Sequence, residues 1–143
     1  MEHPNAALMR KASELLSAGD FEGFLGLHTD DVVMHVPGRG PLAGDHLGRG
    51  GIAAVFQKEM AMLDGPPEFE PHDHLGSDDH AVALVVQRLR RGGRSLEGRQ
   101  TVIAHVGDGM ISEVWFQPDD QAAFDEFFAE ADRVAPPARS SDA

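Results

Sequence analysis

The sequence predicts a single α+β domain in which helices pack on one face of a curved sheet. Apolar residues recur at the spacing of amphipathic helices in the first half of the chain. In the second half the pattern changes to an alternation with period two, which is typical of strands, and glycine-containing turns separate the alternating segments. The 143 residues fit one domain, and they contain neither an internal repeat nor a linker.

Two helices and a strand are predicted at the start of the domain. The first helix covers residues 5–18, with Asn5 as its N-cap and Gly19 just beyond its end. Asp20 then caps a short second helix that carries several phenylalanine and leucine side chains. The segment TDDVVMHVPG is rich in β-branched residues, so it is predicted to form the first strand, which ends at Pro37.

A glycine-rich segment and a third helix follow. The segment GRGPLAGDHLGRGG is predicted to form turns and one short strand. The helix after it ends at Gly65-Pro66-Pro67, because proline cannot continue a helix. Its apolar stripe is predicted to consist of Ile52, Val55, Phe56, Met60 and Leu63.

The remainder of the domain is predicted to be a meander of strands closed by a helix. Gly92-Gly93 is a two-residue hairpin signal, and Gly107-Asp108-Gly109 is a second turn. Asp119 or Asp120 caps the last helix. The strands are predicted over residues 69–75, 81–90, 95–106 and 110–117.

The last residues of the chain differ in composition from the rest. From Arg133 onward the sequence contains alanine, proline, serine and aspartate but almost no large apolar side chain. Such a segment cannot bury enough apolar surface to fold. We therefore assign residues 1–132 to the domain and predict that residues 133–143 form a disordered tail.

The composition argues against nucleic acid and membranes as partners. The chain has 24 acidic and 12 basic side chains and a formal net charge of −12, which is opposite to the basic surface that binds nucleic acid. No apolar run is long enough to span a bilayer, and charges interrupt the N-terminal apolar stretch. We therefore expect a cytoplasmic protein, and the absence of cysteine excludes thiol chemistry.

Three stretches of the chain carry a resemblance to a known superfamily: AGDFEGFLGLHTDDVV, HVPGRGPLAGDHLGRGGI and GDGMISEVWFQPDDQAAFDEFF. Their order and spacing over residues 5–130 resemble the nuclear transport factor 2-like superfamily, and within it the SnoaL-like and ketosteroid-isomerase-related branch. The resemblance implies a cone, in which a curved mixed or antiparallel sheet and three to four helices enclose one apolar pocket. It also implies a homodimer through the outer face of the sheet. Enzymes and non-catalytic binders share this fold, so the fold alone does not select a function.

The positions that match the catalytic residues of such enzymes are apolar or small in this chain. The general base of the steroid isomerases corresponds to Val36, and their oxyanion-hole residues correspond to Ala12 and to Val102, with Thr101 as the alternative for the latter. The acid and histidine of the SnoaL-type cyclases correspond to Phe116 and again Val102. Proton abstraction needs a base and a hydrogen-bond donor that these side chains do not supply. The chain is therefore not expected to be a standard ketosteroid isomerase, and its catalytic residues are unknown.

Two glutamines are the polar groups predicted on the inner face of the sheet. Since side chains alternate along a strand, Gln87 and Gln100 each interrupt an otherwise apolar face. A turn at Gly92-Gly93 places residue 87 opposite 98 and residue 100 opposite 85. The two amides either orient a ligand or form hydrogen bonds with each other or with water. The other predicted ligand-binding residues are Met34, Val36, Phe56, Met60, Val102, Val114 and Phe116, which alternatively fill the core without leaving a cavity.

Two histidines are weak candidates for acid–base catalysis. His35 has the outward parity of its strand, as does Trp115, and together they suggest the dimer face. If the strand curves before Pro37, His35 turns inward instead. His46 follows Asp45 in the glycine-rich loop and is the second candidate.

No metal ion or cofactor is predicted. His72 and His74 form an H-x-H pair, but the sequence offers no third ligand, and exposed histidines on an edge strand are the simpler interpretation.

The leading functional hypothesis is a homodimeric SnoaL-like protein that binds a small hydrophobic or polycyclic molecule in an apolar pocket. The alternative is a cofactor-free cyclase, isomerase or dehydratase that acts by histidine-based acid–base chemistry. A third possibility is an assembly domain with a filled core. The presence and the lining of a cavity distinguish these hypotheses.

Overall fold

A computed structural model describes residues 2–129 of the chain. The predicted disordered tail, residues 133–143, and the predicted domain end at residue 132 lie outside the described residues. The elements in chain order are α1 Pro4–Ser17, α2 Phe21–Leu25, β1 His28–Val36, β2 Gly44–Leu47, α3 Gly48–Met62, β3 Glu68–Gly76, β4 His80–Arg91, β5 Arg94–Gly107, β6 Met110–Pro118 and α4 Gln121–Phe128. Every predicted element is present, with bounds that differ by a few residues.

The six strands form one curved sheet in the order β2-β1-β6-β5-β4-β3. Strands β1 and β6 pair in parallel, and all other neighbours pair antiparallel, so the sheet is mixed. The hairpin prediction is confirmed, since Gln87 lies opposite Gly98 and Val85 lies opposite Gln100. Gly92 and Gly93 have φ angles of 59° and 77°, which residues other than glycine rarely adopt.

The sheet buries one face, and no helix within residues 2–129 packs on the other. In β4 the residues alternate between buried and half-buried from Ala81 to Leu89. The buried set belongs to the same core as residues of α1, α2 and α3 and the two C-terminal phenylalanines of α4. The predicted α+β cone is therefore confirmed: helices close over the concave face of a curved sheet. None of the helices within residues 2–129 is long and apolar enough to cross a membrane.

The N-cap of α1 is not the predicted residue. His3 caps the helix, because its Nδ1 accepts the backbone N–H of Asn5 at 3.0 Å. Asn5 instead donates from Nδ2 to the carbonyl oxygens of Ser77 and Asp78, at 2.8 and 3.1 Å. A side chain that satisfies two carbonyls of a distant turn joins α1 to the β3–β4 connection. The prediction was wrong because this long-range partner has no signal in the local sequence.

The predicted caps of α2 and α4 are confirmed. Asp20 accepts the backbone N–H of Gly23 at 2.9 Å, at the start of α2. Of the two candidates for α4, Asp120 is the cap, and it accepts the N–H of Ala123 at 3.0 Å. These local hydrogen bonds fix where α2 and α4 begin and hence which of their faces point to the core.

Candidate ligand-binding cavity

An inner cavity of about 80 Å³ lies between the helices and the concave face of the sheet. All helices except α4 and all strands except β2 contribute side chains to its wall. Among the described residues that line it, Ser13, His28 and Gln100 have polar side chains and the others are apolar. A volume of this size holds several water molecules or a small organic group. The core is therefore not completely filled, which removes the main support for the assembly-domain hypothesis.

Two further spaces adjoin the inner cavity. A side cavity of about 50 Å³ shares Phe56, Phe69, Gln100 and Phe116 with it. A mouth groove of about 760 Å³ lies between the C-terminal end of α1, α3 and the start of β3. Phe56 and Phe69 line all three spaces and therefore form the partition between them. A ligand that enters the inner cavity from the groove passes these two rings and Leu16, which also lines both spaces.

Gln100 presents an unsatisfied acceptor at this partition. Its side chain is 8% exposed, and its Oε1 is buried without a hydrogen-bond partner among the described residues. Gln87 is also buried and lines the side cavity, but its amide does not donate to Gln100 Oε1. An unsatisfied buried acceptor costs about 1–3 kcal/mol. Of the alternatives drawn from the sequence, a hydrogen bond from the Gln87 amide to this oxygen is thus absent, and a donor from a ligand or a water would satisfy it.

His28 is a buried titratable residue in the wall of the inner cavity. Its side chain is 1% exposed, and its Nδ1 donates to the carbonyl oxygen of Phe24 at 2.9 Å. Burial lowers the pKa of the imidazole, so the ring is neutral at pH 7 and Nε2 is its acceptor nitrogen. The sequence analysis missed His28 because the predicted strand began after it.

Glu59 is the second titratable residue that the sequence analysis missed. It lines the side cavity and the mouth groove, and burial of its carboxyl raises the pKa to about 7. No hydrogen bond or ion pair within residues 2–129 holds this carboxyl. The sequence did contain a signal for its orientation, because residue 59 lies three positions after Phe56 and seven after Ile52, which is the spacing of one helix face. Met60 fits the same helical spacing, and the structure instead places it on the groove with 55% of its surface exposed.

The two histidines named from the sequence do not line any of the three spaces. On the outer face, His35 contacts Asp45 through Nδ1 at 2.7 Å and Glu113 through Nε2 at 2.6 Å. These carboxylates, Glu113 first, raise the pKa of the His35 imidazole. Its ring stacks on Trp115 with centroids 5.4 Å apart. His46 donates from Nε2 to the carbonyl oxygen of Leu42 at 2.9 Å, which gives it a structural role.

The remaining predicted ligand-binding residues are distributed over the two inner spaces. Met34, Val102 and Val114 line the inner cavity, whereas Val36 lines the side cavity. Ala12, the counterpart of an oxyanion-hole residue, also lines the inner cavity. The positions that correspond to known catalytic residues thus border the cavities, but their side chains offer no proton donor or acceptor.

The H-x-H pair of β3 splits between two environments. His74 is half-buried and forms a hydrogen bond from Nε2 to Ser13 Oγ at 3.0 Å, whereas His72 is exposed. A bulge between Pro71 and Asp73 interrupts the strand here. No group of three potential metal ligands comes together in the part of the chain that the structure describes.

Comparisons with known proteins agree with this architecture. The model of the SnoaL-like domain family matches residues 9–114. The uncharacterized protein Rv0034 of Mycobacterium tuberculosis is 30% identical over 124 residues, which are 85% of this chain and 94% of that protein. Bal32a, from a soil-derived mobile gene cassette, superposes with a TM-score of 0.82 at 27% identity and covers 87% of this chain and 96% of its own. TerC, co-crystallized with polyporic acid, superposes with a TM-score of 0.78 at 21% identity, and the match covers 88% of this chain and 98% of the TerC chain.

Proposed function

Because the chain belongs to the family of SnoaL-like domains, we propose that it binds a small, largely apolar molecule that carries a hydrogen-bond donor. The apolar body occupies the inner cavity, and the donor, a hydroxyl or an N–H group, bonds to Gln100 Oε1. The observation that carries the proposal is the buried oxygen without a partner on a wall that is apolar apart from Gln100, Ser13 and His28. Ligand sites typically combine such walls with a few placed polar groups.

The size of the spaces limits the ligand. The inner cavity, at about 80 Å³, accommodates a single small group, and a polycyclic molecule requires Phe56 and Phe69 to rotate and open the partition. The mouth groove, at about 760 Å³, then holds the rest of the molecule. TerC, which has the same fold, was co-crystallized with polyporic acid, and this supports the binding of an organic molecule.

A matched pair of probes tests the hydrogen bond. We expect 4-phenylbutanol, a donor, to bind about tenfold more tightly than its methyl ether, which only accepts, because the ether leaves Gln100 Oε1 unsatisfied. Gln100→Met removes the acceptor and should abolish the preference, whereas Gln117→Met on the outer face of the sheet should keep it. Calorimetric titration gives the affinities. Equal binding of both probes to the wild type, or an unchanged preference in Gln100→Met, would refute the proposal.

The second candidate is a cofactor-free enzyme of the cyclase, isomerase or dehydratase kind. It is favoured by Glu59, whose pKa of about 7 suits proton transfer at neutral pH, and by neutral His28 in the adjoining cavity. These two residues replace His35 and His46 as the acid–base candidates.

Hydrogen exchange on a bound ketone distinguishes an enzyme from a binder. The probe 1-hydroxy-4-phenylbutan-2-one has a hydroxyl for Gln100 and exchangeable C–H bonds beside its carbonyl. In D₂O, an acid–base enzyme should incorporate deuterium at these carbons faster than buffer does, and Glu59→Gln should remove the acceleration. Mass spectrometry measures the label, and exchange at the buffer rate would favour the binding protein.

A homodimer through the outer face of the sheet belongs to the same proposal. The outward residues of the central strands include Val82, Leu84, Ile103 and Trp115, which are only half-buried in the single chain. The helices pack on the opposite face, so a partner chain would cover an apolar surface here.

A further inference from the structure

We infer that the mouth groove selects an organic cation, so that the ligand of the proposed site is an apolar molecule with an ammonium group at one end. The inference rests on the proposed function, because the apolar end is placed in the inner cavity and the cationic end remains in the groove. The observations are the aromatic lining of the groove, its unpaired carboxyl, and the absence of basic side chains from its wall.

The groove has the chemistry of an ammonium site. Phe21, Phe56 and Phe69 line it, and the rings of Phe21 and Phe56 lie with centroids 5.3 Å apart in a tilted arrangement. The face of an aromatic ring attracts a cation, and the attraction increases when the site is partly desolvated. Glu59 adds a carboxyl that is half-buried beside these rings and has no partner within residues 2–129.

The charges around the groove all have one sign. Among the described residues of its wall, the titratable side chains are Glu59 from α3 and Glu68 from β3. The end of α1 contributes leucine and serine, the connection to α2 contributes alanine and glycine, and α2 contributes phenylalanine. No lysine, arginine or histidine of the described chain lines the groove, and the whole chain has a net charge of −12. This field attracts cations and disfavours carboxylates and phosphates.

Ionisation of Glu59 links cation binding to proton release. Burial raises the pKa of its carboxyl to about 7, so a large fraction of the groups is protonated at pH 7. A cation beside the carboxyl favours the ionised form and expels this proton. A neutral ligand in the same place does not, so the number of protons released reports where the charge of the ligand lies.

The test compares three probes that share one apolar body: 4-phenylbutyltrimethylammonium, 4-phenylbutanol and 4-phenylbutanoate. We expect the ammonium probe to bind about tenfold more tightly than the alcohol at pH 8, and the carboxylate more weakly than both. At pH 7 the ammonium probe should also release about half a proton per site. Calorimetry in two buffers with different ionisation enthalpies measures the affinities and the proton count together.

Two variants with the same change in net charge locate the effect. Glu59→Gln should weaken the ammonium probe about tenfold and abolish proton release, while leaving the affinity for the alcohol unchanged. Glu126→Gln removes an exposed carboxylate of α4 outside the groove and should behave as the wild type. Thermal melting of both variants verifies that they are folded.

The outcomes separate this inference from the proposed function. If the alcohol binds and depends on Gln100 but the ammonium probe has no advantage, the inference is wrong and the proposed function stands. If the ammonium probe binds in a Glu59-dependent way but the preference for 4-phenylbutanol over its methyl ether is absent or survives Gln100→Met, the groove prefers cations but the hydrogen bond to Gln100 is refuted. An equal effect of Glu59→Gln and Glu126→Gln would show a general charge effect and overturn the inference.

Discussion

At the residue scale, the polar side chains of Gln100 and Glu59 lie among apolar ones. Gln100 and Glu59 occupy positions where the strand and helix periodicities call for apolar residues. Gln100 is buried in the core and Glu59 is half-buried at the groove, and no hydrogen bond from the described chain reaches Gln100 Oε1 or the Glu59 carboxyl. A polar group without a partner in such a place lowers the stability of the protein. A ligand that binds to the group would offset this cost.

Glu59→Gln should stabilise the protein at alkaline pH. The folded pKa of about 7 lies above the ordinary value of 4.5, so the stability that comes with the protonated form is complete below pH 4.5 and is lost as the pH rises through 7. Since the amide has no charge to desolvate, its advantage over the wild type should grow by about 2 kcal/mol between pH 5.5 and 8.5. Urea unfolding of both proteins at the two pH values measures this difference in the free energy of unfolding. A pH-independent difference between Glu59→Gln and the wild type would contradict the burial of the Glu59 carboxyl.

The sequence predicted the buried glutamine of β5 correctly but not the half-buried glutamate of α3. In a strand the period of two leaves no choice, so Gln100 could be placed as soon as the hairpin turn was known. In a helix, residues three and four positions after Phe56 both continue its apolar stripe. Met60 was predicted to face inward rather than Glu59 only because methionine is apolar. The spacing therefore could not decide which of the two faced inward.

At the element scale, α3 is the helix that closes the site. Ile52 is fully buried in the core, Phe56 separates the three spaces, and Glu59 faces the groove, all on one stripe of this helix. The stripe positions the site residues by the same packing that stabilises the fold.

Two alanine substitutions on α3 test this orientation. Ile52→Ala should lower the free energy of unfolding by about 2–5 kcal/mol, because it leaves a cavity in a closely packed region. Met60→Ala should change it by less than about 0.5 kcal/mol, since the side chain is mostly exposed. Denaturant unfolding measures both. Equal losses would mean that α3 is rotated relative to the structure.

The long-range contacts of single elements were beyond sequence analysis. Nothing near Asn5 indicates that it bonds to the β3–β4 turn, and nothing near His35 indicates two carboxylates from β2 and β6. The order of elements and the turns were predictable because they depend on local chemistry. The site was only partly predictable because it is made where distant elements meet.

At the scale of the whole molecule, the dimer is the open structural question. Trp115 lies at the centre of the uncovered sheet face, on the strand that pairs with both β1 and β5. We expect Trp115→Glu to convert a dimer to a monomer, because it would place a second negative charge next to Glu113 in the proposed interface. Sedimentation velocity measures the change.

Met60→Glu is the control for this experiment, since it adds the same charge on the mouth groove and should leave the dimer intact. A wild-type protein that sediments as a monomer at high micromolar concentration would refute the dimer.

The parallel pairing of β1 and β6 has a consequence for folding during synthesis. Met34 pairs with Val114 and His35 with Trp115, so the first and last long strands meet near the middle of the sheet. The β3–β6 meander can form from neighbours in sequence, whereas β1 gains its parallel partner only after β6 has left the ribosome. The inner cavity needs both parts of the chain. We therefore expect a ligand to bind only to the completed domain, because a nascent chain that stops before β6 lacks part of the cavity wall.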